Sequence, residues 1–473
     1  MLSSSTKEAI KAALSIVVAI CLALWFQWEK PYWAAIAVAV MALNESFAHS
    51  IHKGHNRVWG TLIGIAYALF LIGTFPQDPF LFLSFLTLFL GLCIFMSSDE
   101  KYGYIFSMAF TVCALVACMG QFDDQTIFHF AILRLQETVL GVITFSVVYR
   151  VIWPVNTEQK FIQQFEESRT LLLEALKNKH DFNLEALEAN SGNINKLYQL
   201  LNLPLKGSYR LRQHRRAWLE RVNELTHIQE KLLNRGDKSN SNSAEWKALT
   251  EQLENFYVDK PQTSLIGVKD SDKIESVNSS LRQGKRTFFQ HIKEDKRKVF
   301  HGVSMFVTSL LVWIYLPIPG GSIFPMIAAA FSCILPTMPP SVLKDAFFGV
   351  IGTGTVILLE YVFLMPLMTE LWQLALFYFI NTIVIWEVFS TPKMLIHRVL
   401  GINLLVVLTS GALNLTPIYR IETPILMLTN ILIILLIGKL FSDLFCKPKN
   451  VLRVLKLDIN SHAIHVMNYQ NKF

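Results

Sequence analysis

The amino-acid sequence predicts an all-α, polytopic membrane protein with two six-helix transmembrane repeats in parallel orientation and a helical cytoplasmic insertion between them. Hydrophobic residues make up 52% of the 473 residues and charged residues only 17%, well below the roughly 25% that is usual in soluble domains. The apolar residues are concentrated in two blocks, 9–154 and 299–446, which the polar segment 156–297 separates. Each block contains apolar runs close to the roughly 20 residues that a helix needs to cross a bilayer.

These changes in composition divide the chain into four parts. We assign residues 1–154 to a first transmembrane block, 155–298 to a cytoplasmic helical domain, 299–446 to a second transmembrane block and 447–473 to a short cytoplasmic tail. The first apolar run has no cleavage site of small residues, and a second run follows it at once. We therefore expect it to remain in the protein rather than to act as a signal peptide.

Each block contains six apolar runs, which we interpret as membrane spans. In the first block they lie near residues 9–28, 31–44, 58–75, 79–96, 103–120 and 131–152. In the second block they lie near residues 299–317, 321–336, 346–364, 371–389, 399–414 and 425–445. The second run of each block is short, so a re-entrant or tilted segment stays open there.

Basic residues in the short loops predict the orientation of the chain. With the N-terminus inside, the short inner loops carry Lys53, Arg57, Lys101, Lys344, Lys393 and Arg398, and the short outer loops carry Lys30 and Arg420. Lysine and arginine are enriched in cytoplasmic loops. This bias predicts that both termini and the polar middle segment are cytoplasmic.

A weak internal repeat accompanies the two blocks. In each block a tryptophan is followed by proline, a short apolar run and a pair of glycines, Gly60 and Gly64 in the first block and Gly349 and Gly352 in the second. Parallel repeats are a known plan for transporters, with the substrate site where the halves meet. Small residues at this spacing also serve ordinary helix packing, which is the simpler explanation for these glycines.

Charged residues inside apolar runs are the candidate functional residues, because burying an unpaired charge there is costly. Arg134 and Glu137 lie three residues apart on one helix face, so they form either a structural ion pair or a functional one. Glu387 has no basic neighbour one turn away within its run. Arg57 and Asp345 lie at the cytoplasmic ends of apolar runs. For Arg57 the simpler explanation is that its positive charge orients the chain in the membrane.

Several classes of function find no support in the sequence. The six cysteines form no C-x-x-C pair, which favours free thiols. His49, His52 and His55 have a spacing that three zinc ligands could use, but Gly54 interrupts the helix that would align them, and we expect no metal site. Phosphate-loop, G-x-S-x-G and H-E-x-x-H motifs do not occur, so we expect neither an enzyme nor a bound cofactor. The net charge of +7 is explained by basic membrane edges rather than by nucleic-acid binding.

Three motifs in the first block resemble those of the fusaric acid resistance family, also called the aromatic acid exporter family. They are EKPYW at residues 29–33, RVWGTLIG at 57–64 and RLQETVLG at 134–141. In the second block, residues 345–349 and 385–387 lie where that family has similar residues. The resemblance covers both transmembrane blocks and, loosely, the helical middle.

This resemblance implies a bacterial inner-membrane exporter of aromatic or related organic acids, driven by the proton gradient. It also implies a periplasmic adaptor protein and an outer-membrane channel as partners, and a homodimer stays open. An anion path needs a cationic anchor and a titratable carboxylate. The candidate substrate-binding residues are Arg134, Arg57 and Trp33, and the candidate proton-coupling residues are Glu387, Glu137 and Asp345. Two alternatives remain: an organic-anion channel, since distant plant relatives look like malate channels, and a non-transporting scaffold that acts through the cytoplasmic helices.

Overall fold

The structure, a computed structural model, describes most of the chain. The described residues are 3–42, 47–99, 102–118, 124–153, 157–177, 184–202, 211, 213–233, 250–251, 253–254, 288–318, 320–338, 340–391 and 394–446. Within these ranges the regular structure is entirely helical. Two compact units can be distinguished: a membrane unit of Met1–Leu43, Gly54–Phe145 and Lys285–Phe473, and an insert unit of Asn44–Lys53 and Ser146–Gly284. The predicted tail at 447–473 lies outside the described residues, as do Lys101 and Lys393.

Six helices form the first half of the membrane unit and its connections. They are α1 (Ser4–Trp25), α2 (Tyr32–Ala42), α3 (Phe47–Thr74), α4 (Pro79–Met96), α5 (Gly103–Ala117) and α6 (Asp124–Val151). The side chain of Ser3 accepts a hydrogen bond from the Thr6 amide at the start of α1, and Asp78 caps α4, which begins with Pro79. Both are common helix-start signals.

Three helices form the described core of the insert unit: α7 (Thr157–Lys177), α8 (Leu184–Asn202) and α9 (Arg215–Leu233). The Trp218 ring meets those of Phe161 and Phe165 edge-on, at centroid distances of 5.2 and 5.4 Å. The described part of this segment is helical, as the sequence predicts.

Six further helices form the second half of the membrane unit: α10 (Phe288–Tyr315), α11 (Ile323–Ile334), α12 (Pro340–Phe363), α13 (Leu371–Val388), α14 (Leu395–Leu408) and α15 (Glu422–Cys446). Single 3-10 turns follow α11, α12 and α14. Several helices begin well before their predicted spans, α3 at Phe47 and α10 at Phe288. Helix α3 runs without interruption through Gly54, so the helix break predicted there is wrong. Hydropathy marks where the hydrocarbon ends, but a helix continues into water as long as its polar residues are good helix formers.

Among the described residues, eight helices are long and apolar enough to cross a membrane. The other four, α2, α5, α11 and α14, have 11, 15, 12 and 14 residues. At about 1.5 Å per residue, each is shorter than the roughly 30 Å hydrocarbon core. The helices within the predicted spans 103–120 and 399–414 end at Ala117 and Leu408, and a 3-10 turn at Ser410–Leu413 follows the second. A short helix is tolerated at membrane depth where protein rather than lipid covers its ends.

The short helices pack at the contact between the two halves. Short α2 packs against short α14, and short α5 against short α11. Outside them, α1 packs against α13 and α4 against α10. The second helix of each half thus meets the fifth of the other, and the first meets the fourth. On α2, nearly every residue from Ala34 to Ala42 is buried, whereas α4 exposes Phe80 and Leu88.

Glycines allow α3 and α5 to approach each other closely. A Cβ added at Gly60 would lie 2.6 Å from the carbonyl oxygen of Ile105. A Cβ added at Gly64 would overlap the carbonyl oxygen of Ala109. In the second half, a Cβ at Gly349 of α12 would lie 3.0 Å from the His397 ring on α14. These three glycines are therefore packing residues. Gly352 differs, because a Cβ there would meet nothing within 4 Å.

We expect Gly64→Ala to destabilise the protein and Gly352→Ala to leave it unchanged or slightly more stable. The added methyl group at position 64 has to push α5 away, which costs about 1–3 kcal/mol for an overpacked site. At position 352 the methyl group meets open space, and alanine is the better helix former by about 1 kcal/mol. Thermal unfolding in detergent compares the two variants, and equal melting temperatures would contradict this packing.

Candidate functional site

A buried ion pair lies within α6. The Arg134 side chain is 4% exposed and that of Glu137 is 0% exposed, and Arg134 Nη2 lies 2.6 Å from Glu137 Oε2. Their spacing places both on one helix face. Removing either charge would leave the other buried and uncompensated, which typically costs about 3–5 kcal/mol.

Two aromatic rings flank the Arg134 guanidinium. Its Cζ atom lies 4.7 Å from the centroid of Trp33 and 4.7 Å from that of Phe130. Phe130 precedes Arg134 by one turn of α6, whereas Trp33 comes from α2. A desolvated cation over an aromatic face gains about 2 kcal/mol. The rings therefore offset part of the cost of removing the guanidinium from water.

A glycine brings Trp33 within reach of Arg134. A Cβ added at Gly141 of α6 would lie 2.7 Å from the carbonyl oxygen of Ala34 and 2.7 Å from the Cβ of Ala37. Both alanines belong to α2. Because position 141 has no side chain, α2 and α6 can approach closely, and the first turn of α2 places Trp33 against α6.

The polar atoms of this cluster lack hydrogen bonds. Among the described residues, none of the three guanidinium nitrogens of Arg134 and neither carboxylate oxygen of Glu137 has a hydrogen-bond partner. Their 2.6 Å contact is therefore an ion pair in which the N–H direction is poorly aligned. The buried Trp33 indole N–H also has no hydrogen-bond acceptor of normal geometry there. Buried donors without acceptors are rare in folded proteins, so the site can still bind a group with acceptor oxygens.

Lys30 adds a second positive charge at the edge of this cluster. Its Nζ lies 4.8 Å from the centroid of Phe130. Burial lowers the pKa of Lys30, and the positive charge of Arg134 lowers it further, while Glu29 and Glu137 act in the opposite direction. Glu29 is exposed. The cluster thus contains two cationic side chains and one buried carboxylate.

Arg57, predicted to bind substrate, is engaged elsewhere. It is 6% exposed, and its Nη1 donates a hydrogen bond of 3.0 Å to the Tyr104 hydroxyl, from α3 to α5. Arg134 instead contacts Glu137, Trp33 and Phe130. The structure therefore brings together Trp33, Arg134 and Glu137 but places Arg57 in a different contact.

Glu387 and Asp345, predicted to couple protons, lie on different helices. Glu387 is in the last turn of α13, and its Oε1 is buried with no hydrogen-bond partner among the described residues. Arg398 lies against the neighbouring Trp386 ring, with its Cζ 4.7 Å from the ring centroid. Asp345 lies on α12 and is exposed.

Phe130, Lys30 and Tyr104 take part in these contacts but were not among the predicted site residues. Phe130 could have been found, because it lies four residues before Arg134 on the same helix face. Lys30 is close to Trp33 in sequence, but only the packing of α2 on α6 places it near Phe130. The contact between Arg57 and Tyr104 joins two helices and has no local sequence signal.

Comparisons with known proteins agree with the resemblance. The sequence model of the fusaric acid resistance protein family matches residues 8–295. The p-hydroxybenzoic acid efflux pump subunit AaeB of Musicola paradisiaca is 30% identical over 161 residues, which are 32% of this chain and 25% of that protein. The proteins of that name from Edwardsiella tarda and Pectobacterium carotovorum are 30% identical over 146 and 145 residues, 28% of this chain and 22% of each relative. The chain thus covers about a quarter or less of these curated relatives.

We expect Arg134→Gln to destabilise the protein by about 3–5 kcal/mol, because Glu137 then remains buried without its counter-charge. The double variant Arg134→Gln with Glu137→Gln should recover most of this loss. Arg150→Gln serves as the control, since Arg150 is exposed on the same helix and surface substitutions usually change stability by less than about 0.5 kcal/mol. Thermal unfolding in detergent measures all three. A double variant no more stable than Arg134→Gln would exclude this coupling.

Proposed function

The chain belongs to the fusaric acid resistance protein family, and from this membership we propose that it exports aromatic or related organic acids across the bacterial inner membrane. One observation carries the proposal: the buried Arg134 guanidinium is held between two aromatic rings and has no hydrogen-bond acceptor among the described residues. The curated relatives are named as efflux pump subunits for p-hydroxybenzoic acid. That compound combines a carboxylate with an aromatic ring, the two groups that this cluster could bind.

The cluster can bind both parts of such an acid. A guanidinium donates two parallel N–H bonds to one carboxylate, which fixes the orientation of the anion as well as its position. The rings of Trp33 and Phe130 offer apolar area to the aromatic part of the substrate, and stacked or edge-on ring pairs add to the gain from burial. Little water competes for Arg134, since its side chain is 4% exposed, and this strengthens the electrostatic attraction.

We further propose that the two halves of the membrane unit are parallel six-helix repeats and that the substrate path lies between them. The reciprocal packing of α2 with α14 and of α5 with α11 is what a two-fold relation between the halves would produce. Transporters built on parallel repeats bind substrate where their halves meet. Trp33 belongs to α2, one of the helices at this contact, so Arg134 lies beside the proposed path. We place Arg57 along the same path as a second cation.

The energy source that we propose is the proton gradient, with Glu387 as the coupling carboxylate and Asp345 as a second candidate. Ionisable residues in membrane helices commonly mark proton or substrate pathways. The buried Oε1 of Glu387 has no hydrogen-bond partner among the described residues. An oxygen without a hydrogen-bond partner can accept a proton without the loss of an existing hydrogen bond, which is why we choose Glu387.

The cellular arrangement that we propose follows the family resemblance. Both termini and the helical domain at residues 155–298 face the cytoplasm, as the loop charges predict. A periplasmic adaptor and an outer-membrane channel would carry the acid onward, and a homodimer is compatible with this arrangement. Labelling of Ser241→Cys from the cytoplasmic side alone would support the orientation, and labelling from the periplasm would exclude it.

We expect Arg134→Lys to raise the half-saturating substrate concentration for efflux by about tenfold or more. A lysine keeps the charge but loses the bidentate geometry, and one lost charged hydrogen bond costs about 1.5–3 kcal/mol. The assay follows labelled p-hydroxybenzoate and other organic acids in liposomes that contain the full chain under an imposed pH gradient. Arg150→Lys is the matched control and should transport normally. Normal transport by Arg134→Ala would exclude Arg134 as the anchor, and flux that does not saturate would indicate a channel.

We expect Glu387→Gln to lose accumulation against a gradient while it retains exchange of labelled for unlabelled acid. Glutamine cannot take up and release a proton, so the proton gradient can no longer drive accumulation. Exchange of one acid molecule for another needs no proton and therefore continues. Glu422→Gln provides the control, because Glu422 is exposed in the first turn of α15. If Glu387→Gln lowers only the melting temperature in detergent and leaves the pH dependence of export unchanged, Glu387 has a structural role.

A further inference from the structure

We propose that Glu137 is an internal ligand of Arg134 that a transported carboxylate displaces, and that Glu137 takes up a proton when the anion binds. The inference rests on the proposed function, since it assigns the regulation of the same site. Its starting point is the contact of 2.6 Å between Arg134 Nη2 and Glu137 Oε2. Without substrate, the carboxylate of Glu137 compensates the guanidinium in the way that a bound anion would.

A second carboxylate at Arg134 creates an electrostatic conflict. Arg134 and Glu137 are both nearly inaccessible to water, so solvent does not screen their charges. A substrate carboxylate on the guanidinium would lie within a few ångströms of Glu137, and two ionised carboxylates at that distance disfavour each other strongly. One of the two negative charges therefore has to be compensated or removed. A proton on Glu137 removes it and leaves the guanidinium to the substrate.

Lys30 is the competing counter-ion for Glu137. The charged and titratable groups that act on this cluster are Arg134 and Glu137 on α6, Glu29 and Lys30 before α2, and Tyr32 on α2. Lys30 Nζ lies against the Phe130 ring, 4.8 Å from its centroid, whereas Glu137 is in contact with Arg134. Because Lys30 contacts the ring, we assign the compensation of Glu137 to a proton, and a Lys30→Met variant distinguishes the two.

This arrangement fixes the sign of the coupling. A proton on Glu137 frees Arg134 for the anion, and a bound anion favours the proton, because binding linkage is reciprocal. Affinity for an organic anion should therefore rise as the pH falls. It also follows that Glu137 carries its proton together with the anion. An exchange in which acid leaves while a proton enters therefore needs a second carboxylate that is not paired with Arg134. Glu387 on α13 meets this condition.

Calorimetry with benzoate tests the inference on the full chain in lipid nanodiscs. Titrations between pH 6 and pH 8 in two buffers of different ionisation enthalpy count the protons taken up per bound anion. Benzoate stays ionised in this range, since carboxyl groups have pKa values near about 4. We expect the wild-type protein to take up as much as one proton per benzoate and to bind up to about tenfold tighter per pH unit of acidification. Glu137→Gln should bind more tightly than wild type near pH 8, with no proton uptake and little pH dependence.

The possible outcomes separate this inference from the proposed function. Benzoate binding that Arg134→Gln abolishes but that takes up no proton in the wild-type protein would overturn the inference and leave the anion site intact. If the wild-type protein takes up no proton but Lys30→Met does, Lys30 rather than a proton compensates Glu137 in the wild-type protein. That result would also overturn the inference. No benzoate binding, or binding that Arg134→Gln leaves unchanged, would overturn the proposed site itself. If Glu137→Gln does not fold, the proton count of the wild-type protein decides alone.

Discussion

The cost of keeping a guanidinium away from water governs the first half of the membrane unit. Arg134 is 4% exposed, and three groups offset the loss of its hydration: the carboxylate of Glu137 and the rings of Trp33 and Phe130. Two of these groups lie one turn away on α6. The third depends on the close packing of α2 on Gly141, so this packing and the compensation of the charge depend on each other.

Contact with an aromatic side chain recurs at other arginines of the membrane unit. In the part of the chain that the structure describes, Arg57 bonds the hydroxyl of Tyr104, and Arg398 stacks on Trp386. Such partners stabilise the cation without neutralising it, in contrast to a carboxylate. A site compensated in this way keeps positive charge available for an anion. The three arginines lie on different helices, α6, α3 and α14.

The four short helices explain how polar chemistry is possible at membrane depth. A helix of 11 residues such as α2 cannot cross the hydrocarbon core alone, and the chain tolerates it because neighbouring helices surround it. Backbone groups at the ends of such helices can be satisfied by protein or by water in a cavity. Long helices such as α4 carry the lipid-facing surface, as the exposure of Phe80 and Leu88 indicates.

The sequence by itself determined the helical class, the membrane character and the pairing of Arg134 with Glu137, since hydropathy and i, i+3 spacing are local properties. It also marked the second runs of both blocks as short. Only the tertiary structure decided that α5 and α14 are short as well, because neighbouring helices rather than composition set how much lipid a segment meets. The placement of Trp33 and Lys30 near Phe130, and of Tyr104 on Arg57, likewise depends on packing between helices distant in sequence, for which no local pattern exists.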